Sequence, residues 1–208
     1  MNSSIGERLE QTQDSDIWCQ YYAKALARKH AQRTELAAGM NQSSLRVAVD
    51  CGCGTGADIA YLAELGYCVH GFDINRDAVA ICEQRFKNNP RVRISDASFE
   101  RFAYPENGLV LANSSLFFAD PQRFDKTWAS IRSSLGEGGV FAGDFMGMKD
   151  SWATGYRSPT LPLTREQVNG LFDGFDIIRL DERDEDGPTA LGRTKHWHMF
   201  SVVAIKRA

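Results

Sequence analysis

From about residue 45 onward, short apolar runs alternate with segments whose apolar residues recur at helical spacing. LRVAVD, residues 45–50, is a β-branched run that stops at glycines, the pattern of a buried strand. Residues 57–66 read as a helix, with Ala60, Leu62 and Ala63 for packing and Gly66 as its stop. Further strands are predicted at 67–73, 91–95, 108–113 and 138–145, and a helix bearing Ala78, Val79, Cys82 and Phe86 closes before Pro90. After Pro121, Phe124, Trp128, Ile131 and Leu135 form one stripe of an amphipathic helix. Thr164 and Gln167 fit a capping box that opens a short helix holding Val168, Leu171 and Phe172. Two last strands are expected at 175–180 and 196–205. Residues 183–195 between them are too few for a helical crossover, so that pair should be antiparallel. The acidic stretch from Asp181 to Asp186 is read as a solvated turn, and 146–163 as a loop of little periodicity.

This alternation predicts an α/β protein: a seven-stranded, mostly parallel sheet with an antiparallel last strand and helices on both faces. Ligands then bind beyond the carboxyl ends of the strands. With 208 residues, 43% of them apolar and 25% charged, the chain reads as one globular domain. Disordered, fibrous, membrane and disulfide-scaffold classes are excluded. The net charge of −3 offers no broad positive field for nucleic acid. No apolar run has signal-peptide or membrane-span length, and Cys19, Cys51, Cys53, Cys68 and Cys82 are an odd set without a framework. Reduced thiols in a cytoplasmic protein, with no membrane partner, are expected.

The most informative segment is VAVDCGCGTGAD, residues 47–58. Gly52, Gly54 and Gly56 lie between a predicted strand and helix, where glycine permits a sharp turn and lets backbone N–H groups approach a ligand. The spacing nominally satisfies a dinucleotide fingerprint through Gly52, Gly54 and Ala57. Asp50, however, ends the strand just before the loop, where a carboxylate suits an ammonium group and opposes a pyrophosphate. Asp73 ends the next strand, placed for a ribose diol.

At these residues the chain resembles the class I S-adenosylmethionine-dependent methyltransferases, whose fold is Rossmann-like. Asp50-Cys-Gly52-Cys53-Gly54-Thr-Gly56 looks like their first motif, and Asp73, followed by Ile74, like the acid that holds the ribose. Asp96 and Ala97 resemble the segment that meets adenine through a carboxylate and the next backbone N–H. Asn113 and Ser114 resemble the fourth motif. The resemblance implies S-adenosylmethionine as cofactor, S-adenosylhomocysteine as product, and an N-terminal helical lid over residues 1–44 with a core over 45–208. It also places Trp18 and Tyr22, on a helix expected over 16–31, against the methionine end of the cofactor, where an aromatic face attracts a sulfonium. The segments 112–121, 150–156 and 189–200 are similar to small bacterial methyltransferases related to the tellurite-resistance enzymes.

Methyl transfer from a sulfonium is an in-line displacement, for which the protein mainly supplies orientation and desolvation. His196 and His198, on one face of the last strand, are the acid/base candidates, and Trp152, Tyr156, Lys195 and Trp197 the acceptor contacts. No metal is expected, because Cys51 and Cys53 belong to the glycine loop. Asn113-Ser-Ser-Leu lacks the double proline of base methyltransferases, which with the acidic balance points to a small-molecule acceptor. A nicotinamide-dependent oxidoreductase and a non-catalytic S-adenosylmethionine-binding module are the competing readings.

Overall fold

A computed structural model describes residues 25–208. The apolar runs become strands β1 (Val47–Cys51), β2 (Cys68–Asp73), β3 (Val92–Asp96), β4 (Asn107–Ala112) and β5 (Leu135–Gly147). A two-residue strand β6 (Pro162–Leu163) follows, then β7 (Phe175–Pro188) and β8 (Thr194–Lys206). The strand order is β3-β2-β1-β4-β5-β8-β7, with β6 beside β5. All pairs from β3 across to β5 are parallel, whereas β8 runs antiparallel to both β5 and β7.

Helices α1 (Gln32–Met40), α2 (Ala57–Glu64) and α3 (Arg76–Phe86) pack on one face, burying Ala37, Ile59, Leu62 and Cys82 against Ala48, Val69, Leu109, Leu111 and Ala142. The other face carries α4 (Phe124–Ser134) and α6 (Arg165–Leu171), after a single turn α5 (Trp152–Gly155). Trp128 anchors that face: its ring lies 5.0 Å from Phe141 and 5.3 Å from Phe172, and its indole N–H donates to the Leu171 carbonyl at 2.9 Å. Each such buried side chain contributes about 1.5–3 kcal/mol, and the indole's one polar atom is satisfied. The Thr164 capping box forms as expected. Because helices cover both faces, β4 is buried along its whole length.

Three expectations are corrected. Residues 183–188 are strand, not loop: β7 and β8 pair out to Pro188 and Thr194. The acids of that stretch are held by cations, with Glu182 paired to Arg165, Asp184 to Lys149, and both Asp184 and Asp186 to His196. Segment 146–163 is also ordered, supplying the end of β5, the turn α5 and β6. The helix expected over 16–31 ends, within the described residues, at Leu26, and a separate helix begins at Gln32. Ala37 of that second helix is fully buried under the sheet.

Candidate active site

The glycine loop leaves β1 through left-handed backbone at Gly52 (φ 70°), Gly54 (φ 53°) and Gly56 (φ 75°). Only glycine fits at two of these. A Cβ at Gly52 would lie 2.6 Å from the Ser115 Cβ, and one at Gly56 would lie 2.6 Å from the Phe86 ring. The loop is tied to β2: Gly52 and Cys53 donate to the Phe72 carbonyl at 2.8 and 2.9 Å, and Gly54 donates to the Asp73 carboxylate at 3.0 Å. Cys53 is buried beneath it, next to Cys82. Asp50 is buried at the root of the loop. Burial, with the like charges of Asp58 and Asp73, pushes its carboxyl well above the usual carboxylate range.

Asp73 also accepts the Asn75 N–H at 2.9 Å, and burial raises its carboxyl as well. Directly after it, Ile74 is 73% exposed, a large apolar side chain left bare beside the loop. Asp96 ends β3 opposite Asp73 and pairs loosely with Arg76 at 3.3 Å. The Ala97 N–H, expected to face adenine, instead donates to the Asp73 carbonyl at 3.1 Å. That donor extends the β2–β3 ladder.

At the end of β4, Asn113 and Ser114 enter a polar network that sequence reasoning missed. Asp144 on β5 accepts both terminal nitrogens of Arg33, at 2.5 and 2.7 Å. It also accepts the Ser114 N–H at 2.8 Å and the Ser201 hydroxyl at 2.5 Å. Arg33 Nε donates to Asn113, whose amide donates in turn to Thr34 and to Asp58. Ser114 is the one non-glycine at positive φ (53°) among the described residues, and Asp144 holds it there. The available signal was Asp144 itself, a carboxylate inside the apolar run GGVFAGDF, which requires a buried partner.

Asp50, the glycine loop, Asp73, Asp96 and Asn113 thus stand at the carboxyl ends of four adjacent parallel strands. Residues 48–139 match the methyltransferase-domain family. The match runs from β1 into β5, the part of the chain that holds this carboxyl-end array. TehB of Haemophilus influenzae shares its fold at 16% identity and a TM-score of 0.70, over 87% of this chain and 63% of that one, so this chain spans less than two thirds of TehB. The 1,6-didemethyltoxoflavin-N1-methyltransferase of Burkholderia thailandensis was solved with its namesake compound and S-adenosylhomocysteine. It matches at 18% identity and a TM-score of 0.65, over 98% and 87% of the two chains. The [4+2]-cyclase SpnF matches at 17% identity and a TM-score of 0.62, over 84% and 80%. No curated protein matches the sequence.

The four residues expected to contact an acceptor come together. Trp152 lies 4.9 Å from Tyr156 and 5.6 Å from Trp197, ring to ring, and the Lys195 ammonium sits over both indoles at 4.1 and 4.0 Å. Phe118, unremarked in the sequence, joins them at 5.2 Å from Tyr156. It follows Ser114 by one 3-10 turn, Leu116–Phe118. The two histidines lie on the opposite face of β8 from Lys195 and Trp197, by strand alternation. His196 places its two ring nitrogens 2.8 Å from Asp186 and 2.8 Å from Asp184, which raise its pKa. His198 Nδ1 accepts the Lys149 N–H at 3.1 Å, so Nε2 carries the proton shared with Glu182 at 3.0 Å. Ligand atoms of Glu182, Asp184 and His198 cluster within 4.8 Å, but that protonated Nε2 has no lone pair for a metal, and Arg165 and Lys149 already hold the two acids. Trp18 and Tyr22 lie outside the described residues, as does Cys19. The four described cysteines Cys51, Cys53, Cys68 and Cys82 are free thiols. Among the described residues, no helix is long and apolar enough to cross a membrane.

Proposed function

We propose that this protein is a methyltransferase that moves the methyl group of S-adenosylmethionine to a small-molecule acceptor in the cytoplasm. The carrying observation is the fit between the carboxyl-end array and that cofactor's groups. Asp50 is a buried carboxylate short of positive charge, which an amino-acid ammonium would supply. The glycine loop turns where Gly52 and Gly56 leave no room for a Cβ against Ser115 and Phe86, while Gly54 faces open space. Asp73 stands for the ribose, with Ile74 exposed beside it as an apolar face for adenine and Asp96 at the next strand end. Gly52, Cys53, Gly54 and Gly56 line the turn, and Asn113 and Ser114 flank the reacting end.

When bound, the cofactor supplies the electrophilic methyl group, and the chain's residues orient the partners. The Arg33–Asp144 pair fixes Ser114, and so the edge at which cofactor and acceptor meet. Trp152, Tyr156 and Trp197 exclude water from the acceptor side. No proton transfer is assigned to His196 or His198, whose rings are engaged by the hairpin acids. SpnF, a cyclase on this fold, makes turnover worth testing apart from binding.

The test is calorimetry with S-adenosylhomocysteine and NAD, followed by methyl transfer over an acceptor panel. Tight S-adenosylhomocysteine binding, lost in Asp73→Ala, with turnover of at least one panel member is the expected result. NAD binding alone would restore the oxidoreductase reading. Cofactor binding with no transfer across small molecules would favour a non-catalytic module.

A further inference from the structure

Lys195 is buried where a lysine has little reason to be. Its side chain is 5% exposed, and its ammonium pairs with Asp150, whose side chain is fully buried. The same ammonium lies between the indoles of Trp152 and Trp197, at 4.1 and 4.0 Å from the ring centroids. Asp150 is anchored from both sides, accepting the Trp152 N–H at 2.9 Å and the His198 N–H at 3.0 Å. Two aromatic faces with a fixed carboxylate behind them make a site for a cation, since ring quadrupole and anion attract positive charge together. Here the occupant is a side chain of the protein, which pays no translational cost to stay and so outcompetes a free ammonium. A second cation brought to the same rings would meet like charge. Beyond that cage, Phe118, Trp152 and Tyr156 form a continuous aromatic surface, with rings 4.9–6.2 Å apart and Phe118 39% exposed.

We propose that Lys195 determines acceptor specificity: its ammonium fills the indole cage, so the pocket refuses cationic acceptors and takes an uncharged planar ring on Phe118, Trp152 and Tyr156. This rests on the reading that the aromatic cluster is the acceptor side. Quinoline and N-methylquinolinium, flat rings of the same shape that differ in charge at pH 7.5, probe it in the wild-type protein. Calorimetry should show quinoline binding at least tenfold tighter than N-methylquinolinium; equal affinities, or tighter binding of the cation, would overturn the proposal. Lys195→Met, which keeps the chain length and apolar stem, should then bind tetramethylammonium at least tenfold tighter than wild type. Sodium at the same ionic strength should give no such effect. The doubly neutral Lys195→Met/Asp150→Asn variant, which leaves no buried charge unpaired, should lose most of that gain. A folded Lys195→Met protein, verified by circular dichroism, that binds tetramethylammonium no better than wild type refutes the cage. S-adenosylhomocysteine titrated into the same samples separates failure of this idea from failure of the methyltransferase reading, because none of the cation arms requires cofactor.

Discussion

Asp50→Asn should make the empty protein more stable and the cofactor complex weaker. Asp50 is 3% exposed, and burial with the nearby charges of Asp58 and Asp73 raises its carboxyl well above the usual range. An acid whose folded pKa exceeds its unfolded value of about 3.9 binds more protons in the native state. Stability is therefore lost as pH rises from the unfolded pKa through the folded one, and every unit of gap costs about 1.4 kcal/mol. Asparagine has nearly the same shape and does not titrate. The variant should gain about 1–3 kcal/mol at pH 7, the usual cost of a buried polar group left without a partner, read as a rise of several degrees in melting temperature. Near pH 3, where the carboxyl is largely protonated in both states, the gain should almost vanish. Urea denaturation at pH 3 and pH 7 measures the difference. The same substitution removes the partner offered to the ligand's ammonium, so S-adenosylhomocysteine affinity should fall by about tenfold or more, the loss of one charge-assisted contact. A pH-independent gain, or a loss of stability at pH 7, would refute the account of Asp50 as a strained, ligand-seeking charge.

Other substitutions test the rest of the site. Arg33→Met strips the guanidinium from Asp144, whose side chain is 7% exposed, and should cost about 3–5 kcal/mol in urea unfolding, because a buried charge loses its partner. A cost below about 1 kcal/mol would mean that water reaches the network. Gly52→Ala forces a Cβ to within 2.6 Å of Ser115 at a positive φ, and should abolish S-adenosylhomocysteine binding by calorimetry; wild-type affinity would contradict the role given to the loop. His196 has its pKa raised by Asp186 and Asp184, so its contribution to stability is complete below about 6.5 and is lost as pH rises through the folded value. The melting-temperature advantage of wild type over His196→Gln should shrink on titration upward from pH 6.5, and a constant difference would argue against the ion pairs.

What could be read along the chain was what consecutive residues encode. Gly52, Gly54 and Gly56 announce a backbone that only glycine adopts, and the Phe124–Trp128–Ile131 stripe announces a helix face, because each demand is local. Asp50, Asp73, Asp96 and Asn113 were legible for a related reason: each ends an apolar run, and parallel topology brings such ends together. The acceptor side obeys a different rule. Lys195 meets Asp150 across 45 residues, and Arg33 meets Asp144 across 111, so nothing near either residue in sequence names its partner. The same blindness explains the hairpin. A run such as Asp181–Asp186 reads as a turn by composition, since acids are poor strand formers when isolated. It is strand because Lys149, Arg165 and His196 neutralise it from other elements, while β7 as an edge strand keeps one side in water. Removing those cations should fray the 181–188 end of β7 before it disturbs the core, because that end is held by charge pairs where Phe141, Phe145 and Trp128 are held by burial. Hydrogen exchange on Lys149→Ala tests the asymmetry: faster exchange confined to 181–188 and its β8 partners is expected, and uniform acceleration across the sheet would show that the hairpin and the cofactor core unfold as one unit.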